Sequence, residues 1–359
     1  MGEYNSIEDI AIKIENELLG VNNEKALTLL YAFNSTGKTR ISNILKDNEN
    51  EKNICFNSFI TDLFVWDNEE LKLKIEKNSW VVEFIEEQGC QNTISDNFQN
   101  LVTSKLEPYF DLKNGTITFN IPTGDEKSIK NIKISKGEES LFIWSVFYTI
   151  ISIAIDELNS EKENRSTNIF DELQYIIIDD PISSVDDSRA ITMAMQLIDL
   201  IDNSNSNLKF IVTTHYALLF NVLYNNYKRM IKNRKMKIFK YILKKEENIY
   251  CLEEQRNDTP FSYHLTVKKI IEDAIKNNAL KKYHFNLFRS LLEKTSNFLG
   301  YEYWTDCINN TQKDEFIKII NLYSHSRLSE IEYSELTNED KVLFIETFNN
   351  FKKDFKWKD

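Results

Sequence analysis

The chain has 359 residues, enough for two domains or for one large domain with an appendage. A 42% hydrophobic share can fill a real core, and 28% charged residues point to a soluble protein. The formal net charge of −12 argues against a generally basic nucleic-acid binder but leaves room for a local basic patch.

The opening "MGEYNSIEDIAIKIE" is acidic and has no long apolar run, so it does not read as a secretory signal. Ser6 followed by Asp9 resembles a helix start, with an amphipathic helix running to about Leu19. "ALTLLYAF" (26–33) is a short apolar run ending at a turn, as expected of a buried strand, and "KTRISNILKD" returns to helical spacing. Between about 50 and 130 the reading is a short strand near "NICFN", charged helices, and the alternating "GTITFNI" (115–121). The fifteen residues "LFIWSVFYTIISIAI" (141–155) are fewer than the roughly 20 needed to span a bilayer. They predict a buried helix. "QYIIIDDP" (174–181) is a buried strand stopped by Pro181, a helix follows over about 187–202, and "LKFIVTTH" (208–215) is a further buried strand. This alternation predicts an α/β fold with a mostly parallel sheet and helices on its faces. After about 250 the strand signal fades, so the division expected is 1–250 and a mainly α-helical 251–359. Cys55, Cys90, Cys251 and Cys307 are scattered with no C-x-x-C pair, which predicts buried free thiols in a reducing cytoplasm.

The stretch "AFNSTGKT" (32–39) matches the phosphate-loop pattern except that Ala32 replaces its first glycine, and it lies between a strand and a helix as that loop requires. Asn34, Ser35, Thr36 and Gly37 would cradle phosphates, Lys38 would reach the β and γ phosphates, and Thr39 would ligate Mg²⁺. A chance surface turn is the plain alternative. Against it, "YIIIDDP" delivers two carboxylates to a strand end, Asp179 for the Mg²⁺ shell and Asp180 to orient or deprotonate an attacking water. "SKGEES" (135–140), "SSVDD" (183–187) and "TTH" (213–215) follow the expected order. Together these five motifs, over roughly 26–220, resemble the phosphate loop, carboxylate strand, signature, D-loop and switch histidine of ABC-type ATPases.

That resemblance implies ATP or GTP with Mg²⁺ held between two heads, and therefore at least a homodimer. Ser135, Gly137 and Glu138 would face the partner head's nucleotide, and His215 would sense the γ-phosphate. Ser35 and Lys136 stand where such heads carry glycines, and Asn57 is the candidate for the Q-loop position. Roughly 95 residues separate phosphate loop and signature, too few for long coiled-coil arms.

In the carboxy-terminal third, "FRSLLEKT" (288–295) places Arg289 and Glu293 on one helix face, where a surface ion pair is the plain reading. Downstream, "NLYSHSR" carries His325. A head with "YAFNSTGKTR", followed by "FRSLLEKTSNFLGYEYW" and "NLYSHSR", resembles the bacterial anticodon nucleases of the PrrC type. Their catalytic triad runs Arg, three residues, Glu, 31 residues, His, and Arg289, Glu293 and His325 fit it without a gap. The resemblance implies cleavage of a tRNA anticodon loop, of a lysine tRNA 5′ of its wobble base. It also implies silencing by a type I restriction–modification complex until phage infection, and no membrane. An ATPase subunit of another defence system (PtuA type) and a DNA-associated repair ATPase related to RecF or the chromosome-maintenance heads stay open. The run "YKRMIKNRKMKIFKYILKK" (227–245) has nine basic residues and no acid. Lys228, Arg229, Lys232, Arg234 and Lys235 are its candidate RNA contacts, and Phe239 and Tyr241 could lie against bases.

Overall fold

The computed structural model describes every residue except 1, 22–23, 49–51, 58–61, 103, 124–126, 183–184, 231–235, 247–248, 256–262, 326–335 and 358–359. Two units divide the chain, Met1–Pro260 and Phe261–Asp359.

Ser6 caps the first helix through its hydroxyl, which accepts from the Asp9 amide at 3.1 Å. That helix, α1 (Ile7–Leu19), follows β1 (Gly2–Tyr4) and precedes β2 (Ala26–Ala32), α2 (Lys38–Asn48) and β3 (Asn53–Phe56). Next come β4 (Phe64–Asp67), β5 (Lys72–Ile75), α3 (Trp80–Gln88), α4 (Gln91–Leu101), β6 (Glu107–Asp111), β7 (Thr116–Thr123) and β8 (Lys127–Ile129). The first unit closes with α5 (Lys136–Asn159), β9 (Tyr175–Asp179), α6 (Asp187–Asn203), β10 (Lys209–Thr214), α7 (Ala217–Met230), β11 (Lys237–Glu246) and β12 (Ile249–Glu254).

A seven-stranded sheet runs β1-β12-β11-β2-β10-β9-β3. From β11 to β3 every pairing is parallel, and β12 and β1 add an antiparallel edge. All residues of β2, β9 and β10 are buried, as near-continuous apolar runs require of strands covered on both faces. The first unit is therefore an α/β head with a mostly parallel sheet, and the ABC-type order of motifs runs along it. Because β12 pairs with both β11 and β1, the head extends past the expected division at 250. A separate antiparallel sheet, β4-β5-β7-β6 with β8 on β7, carries the region between the third strand and the signature.

Among the described residues, α5 alone is long and apolar enough to cross a membrane, and 67% of its apolar window is buried inside the fold. Phe142 packs edge-on against Phe98 and Phe119, and Trp144 donates its indole N–H to Gln196 Oε1 at 2.8 Å. It is the core helix that its apolar run predicts. The four cysteines are buried free thiols.

The second unit is helical: α8 (Tyr263–Lys276), α9 (Lys282–Leu299), a 3-10 turn (Trp304–Cys307), α10 (Lys313–His325) and α11 (Asn338–Asp354). Its core is aromatic. Phe288 is fully buried, with ring centroids 5.2–5.8 Å from those of Phe316, Phe344, Phe348 and Phe351. Phe288→Ala is expected to destabilise this unit by about 3–5 kcal/mol, read as a lower urea midpoint.

Candidate active site

In the head, three strand ends and one helix start converge. β2 delivers the chain at Ala32 into the phosphate loop, and α2 begins at Lys38 with no acid in its first turn. Ser35 takes φ +63° and Gly37 φ +112°. Serine at position 35 thus adopts the left-handed turn for which glycine is the default residue. Lys38 is buried, and its ammonium donates to the Ala32 and Phe33 carbonyls at 3.1 and 3.2 Å. Thr36 Oγ1 donates to the Phe33 carbonyl, and Asn34 Oδ1 lies 3.5 Å from the Lys38 ammonium.

β9 ends at Asp179, which is buried and accepts from the hydroxyls of Thr213 and Thr39. Burial pushes the Asp179 carboxyl above its ordinary value. The two hydroxyls pull it back and the neighbouring Asp180 adds to the rise. The free fold is therefore most stable with Asp179 protonated. From this group alone, stability falls as pH rises from about 3.8 through the raised folded value. Asp179→Asn is expected to remove that slope in melts across weakly acidic pH while weakening Mg²⁺-dependent nucleotide binding, measured by titration calorimetry.

Asp180 stands at φ +52°, and its amide donates to the Thr213 carbonyl at 2.9 Å. The left-handed turn aims its carboxylate across the end of β10. There it accepts from the His215 amide at 3.0 Å and meets His215 Nδ1 at 2.6 Å. The Lys38 ammonium is 3.5 Å away. Strained backbone of this kind gathers at functional sites. Tyr216 donates to Asp187, which pushes its phenol up to about 12 and ties the start of α6 to the switch-histidine turn. The register of β3 on β9 runs to Phe56 opposite Ile178, so Asn57 follows at the level of Asp179. Its side-chain Oδ1 is buried with no partner among the described residues, while Nδ2 donates to Asn43 Oδ1.

These features fit a magnesium nucleotide. Turned-in amides and a helix start suit phosphates, and the Thr39 hydroxyl with the Asp179 carboxylate is a hard-oxygen pair suited to Mg²⁺. At the signature, Ser135 caps α5 in a reciprocal box with Glu138: its hydroxyl accepts from the Glu138 amide at 3.2 Å, and Glu138 Oε2 accepts from the Ser135 amide at 2.8 Å. Gly137 lies in the first turn, and Lys136 pairs with Glu139 at 2.7 Å.

In the helical unit, Arg289 is the centre of a cluster. Its Nε donates to Glu293 Oε1 at 2.8 Å, and Nη1 donates to Asn321 Oδ1 at 2.6 Å. The guanidinium carbon lies 5.0 Å from the Trp304 ring centroid. Asn321 belongs to α10, whose last residue is His325, one turn further on. The His325 side chain lies outside the described residues.

Over 345 residues the chain is 39% identical to the anticodon nuclease of Escherichia coli, covering 88% of this chain and 85% of the relative. The chain belongs to the anticodon nuclease family. The unmatched 12% is smaller than the helical unit, so the match enters both units of this family member. No family model matches. Solved structures with slight similarity include the SMC head bound to the C-winged helix domain of ScpA (TM-score 0.35, 11% identity, 66% of this chain and 92% of that one). Another is the SMC head domain from Thermotoga maritima (TM-score 0.34, 11% identity, 66% and 93%).

The structure places Arg289 against Glu293, and Asp180 against both Lys38 and His215. Residue types and spacing did not single out Asn321 and Trp304 as neighbours of Arg289. The available signal was Asn321 four residues before His325 on one helix. The basic run reads differently in three dimensions. The side chains of Lys228 and Arg229, and all of Lys232, Arg234 and Lys235, lie outside the described residues. Tyr241 is buried and donates its hydroxyl to Glu17, so its ring is not open to a base, and Phe239 is partly buried against the head core. His284 is buried and its Nδ1 accepts from the Lys281 amide at 2.9 Å, a structural role.

Proposed function

We propose that the chain is a nucleotide-controlled ribonuclease that cuts a tRNA anticodon loop with Arg289, Glu293 and His325. The reading rests on the 39% match to an anticodon nuclease that enters both units, a match that disfavours a nuclease held in a separate chain. One of Glu293 and His325 takes the proton from the ribose 2′-OH as it attacks the adjacent phosphorus. The other protonates the departing 5′ oxygen. Arg289 holds charge building on the non-bridging oxygens. The products are a 2′,3′-cyclic phosphate and a 5′-OH, and DNA is spared because it has no 2′-OH. The resemblance directs the cut to a lysine tRNA, 5′ of the wobble base, in anti-phage defence beside a type I restriction–modification complex.

The head supplies control. When bound, Mg²⁺ neutralises phosphate charge in ATP or GTP hydrolysis. Lys38 would exchange its carbonyl partners for the phosphates, Thr39 and Asp179 would hold the ion, and Asp180 with His215 would align the attacking water. Ser135, Gly137 and Glu138 of a second copy complete the site, which makes the working form a homodimer or larger. Expression of the wild-type chain and of His325→Ala in a bacterial host, followed by sequencing of tRNA ends, tests the reading. New ends in the anticodon loop are expected with the wild type alone. Equal tRNA ends in both strains would remove it.

A further inference from the structure

An arginine that meets a phosphate must have its guanidinium plane fixed before substrate arrives, because a mobile fork loses rate through misplacement. Glu293 alone cannot fix it. That carboxylate sits on the same helix as Arg289, is 45% exposed, and bonds one nitrogen, Nε. The second point of attachment comes from another helix, where Asn321 Oδ1 accepts from Nη1 at 2.6 Å. Two bonds to different nitrogens, with the Trp304 ring 5.0 Å from the guanidinium carbon, define both the plane and its tilt. Arginine has no acceptor, so the amide oxygen is the atom that must face it.

The residue type is informative too. Glu293 already balances the Arg289 charge, and a second carboxylate would leave the cluster net negative and repel a phosphate. A neutral amide orients the guanidinium without cancelling its charge. The bond is also not needed to hold the helices together, since Phe285 and Phe288 of α9 meet Phe316 of α10 in the buried core.

We propose that Asn321 is a positioning residue of the nuclease reaction, acting through Arg289; the inference rests on the nuclease reading above. Its test uses the full chain with bulk host tRNA, ATP, GTP and Mg²⁺, scoring kcat, KM and melting temperature for wild type, Arg289→Ala, Asn321→Asp and Asn321→Ala. Asn321→Asp keeps shape and acceptor but adds charge. It is expected to lower kcat about tenfold or more with KM little changed and a melting temperature at or above wild type. That loss reports the added charge, since aspartate keeps the acceptor that Arg289 Nη1 meets. Asn321→Ala removes the acceptor and decides, and the nuclease reading stands on either result. Loss of kcat at unchanged KM and melting temperature supports the role, and wild-type kcat, or loss matched by unfolding, overturns it. If wild type and Arg289→Ala both leave tRNA intact, the nuclease reading fails and the positioning role falls with it.

Discussion

Arg289→Ala is expected to lower the rate of tRNA cleavage by about 100- to 1,000-fold, the usual cost of removing one donor from developing charge. The protein should stay folded, because the helical core is built from Phe285, Phe288, Phe316 and Phe344 rather than from this polar cluster. Arg289→Lys is the sharper variant. It keeps the charge, but one ammonium cannot meet Glu293, Asn321 and a phosphate with the planar fork that a guanidinium provides. Its rate should stay near that of the alanine variant in timed assays of cyclic-phosphate ends. Full recovery by lysine would mean that charge alone is required and that the geometry around Arg289 is incidental.

Gly37→Ala is expected to abolish nucleotide binding. Two independent causes act at this position. A Cβ there would fall 2.6 Å from Ile7 Cδ1, and the backbone stands at φ +112°, which an L side chain rarely adopts. Relief of the first by Ile7→Val, which removes Cδ1 and keeps most of the buried side chain, leaves the second, so the double variant should regain little affinity. The conformational cost is of the order of 1–3 kcal/mol. Binding of a fluorescent ATP analogue, followed beside thermal melts, separates the two effects. Wild-type affinity in the double variant would mean that packing on α1, not loop conformation, is what glycine serves.

The head was legible because its chemistry sits where buried strands stop. Runs such as "ALTLLYAF", "QYIIIDDP" and "LKFIVTTH" have one reading, and the residues that follow each of them converge at one end of the sheet. Of the antiparallel sheet, β7 showed in the sequence as the alternating "GTITFNI", and the strands around it did not. Its strands β4 and β5 are four residues each, half exposed and charged, too short to display alternation. β11 was hidden for a different reason. Lys240 and Lys244 make it look like a basic surface, yet it lies between β2 and β12. The Lys240 ammonium lies 3.9 Å from the Tyr224 ring centroid and Lys244 pairs with Glu253 at 2.8 Å. Long lysine stems can cross apolar surface and find partners at its rim, so counting charge misjudges such a strand. In the second unit, Arg289 and Glu293 share one helix and could be paired from spacing. Asn321 reaches them only through tertiary packing of α9 on α10.

The pairing of β1 with β12 has a consequence for synthesis. Gly2 is opposite Leu252, and the phosphate-loop strand β2 has both neighbours, β10 and β11, more than 170 residues downstream. On the ribosome, β3 therefore waits for β9, β2 for β10 and β11, and β1 for β12, which ends at residue 254, a slow assembly dominated by distant contacts. The unit carrying Arg289 and Glu293 is translated only after that closing strand. Order of manufacture thus sets the unit with the phosphate-loop motif ahead of the helical unit in every newly made molecule.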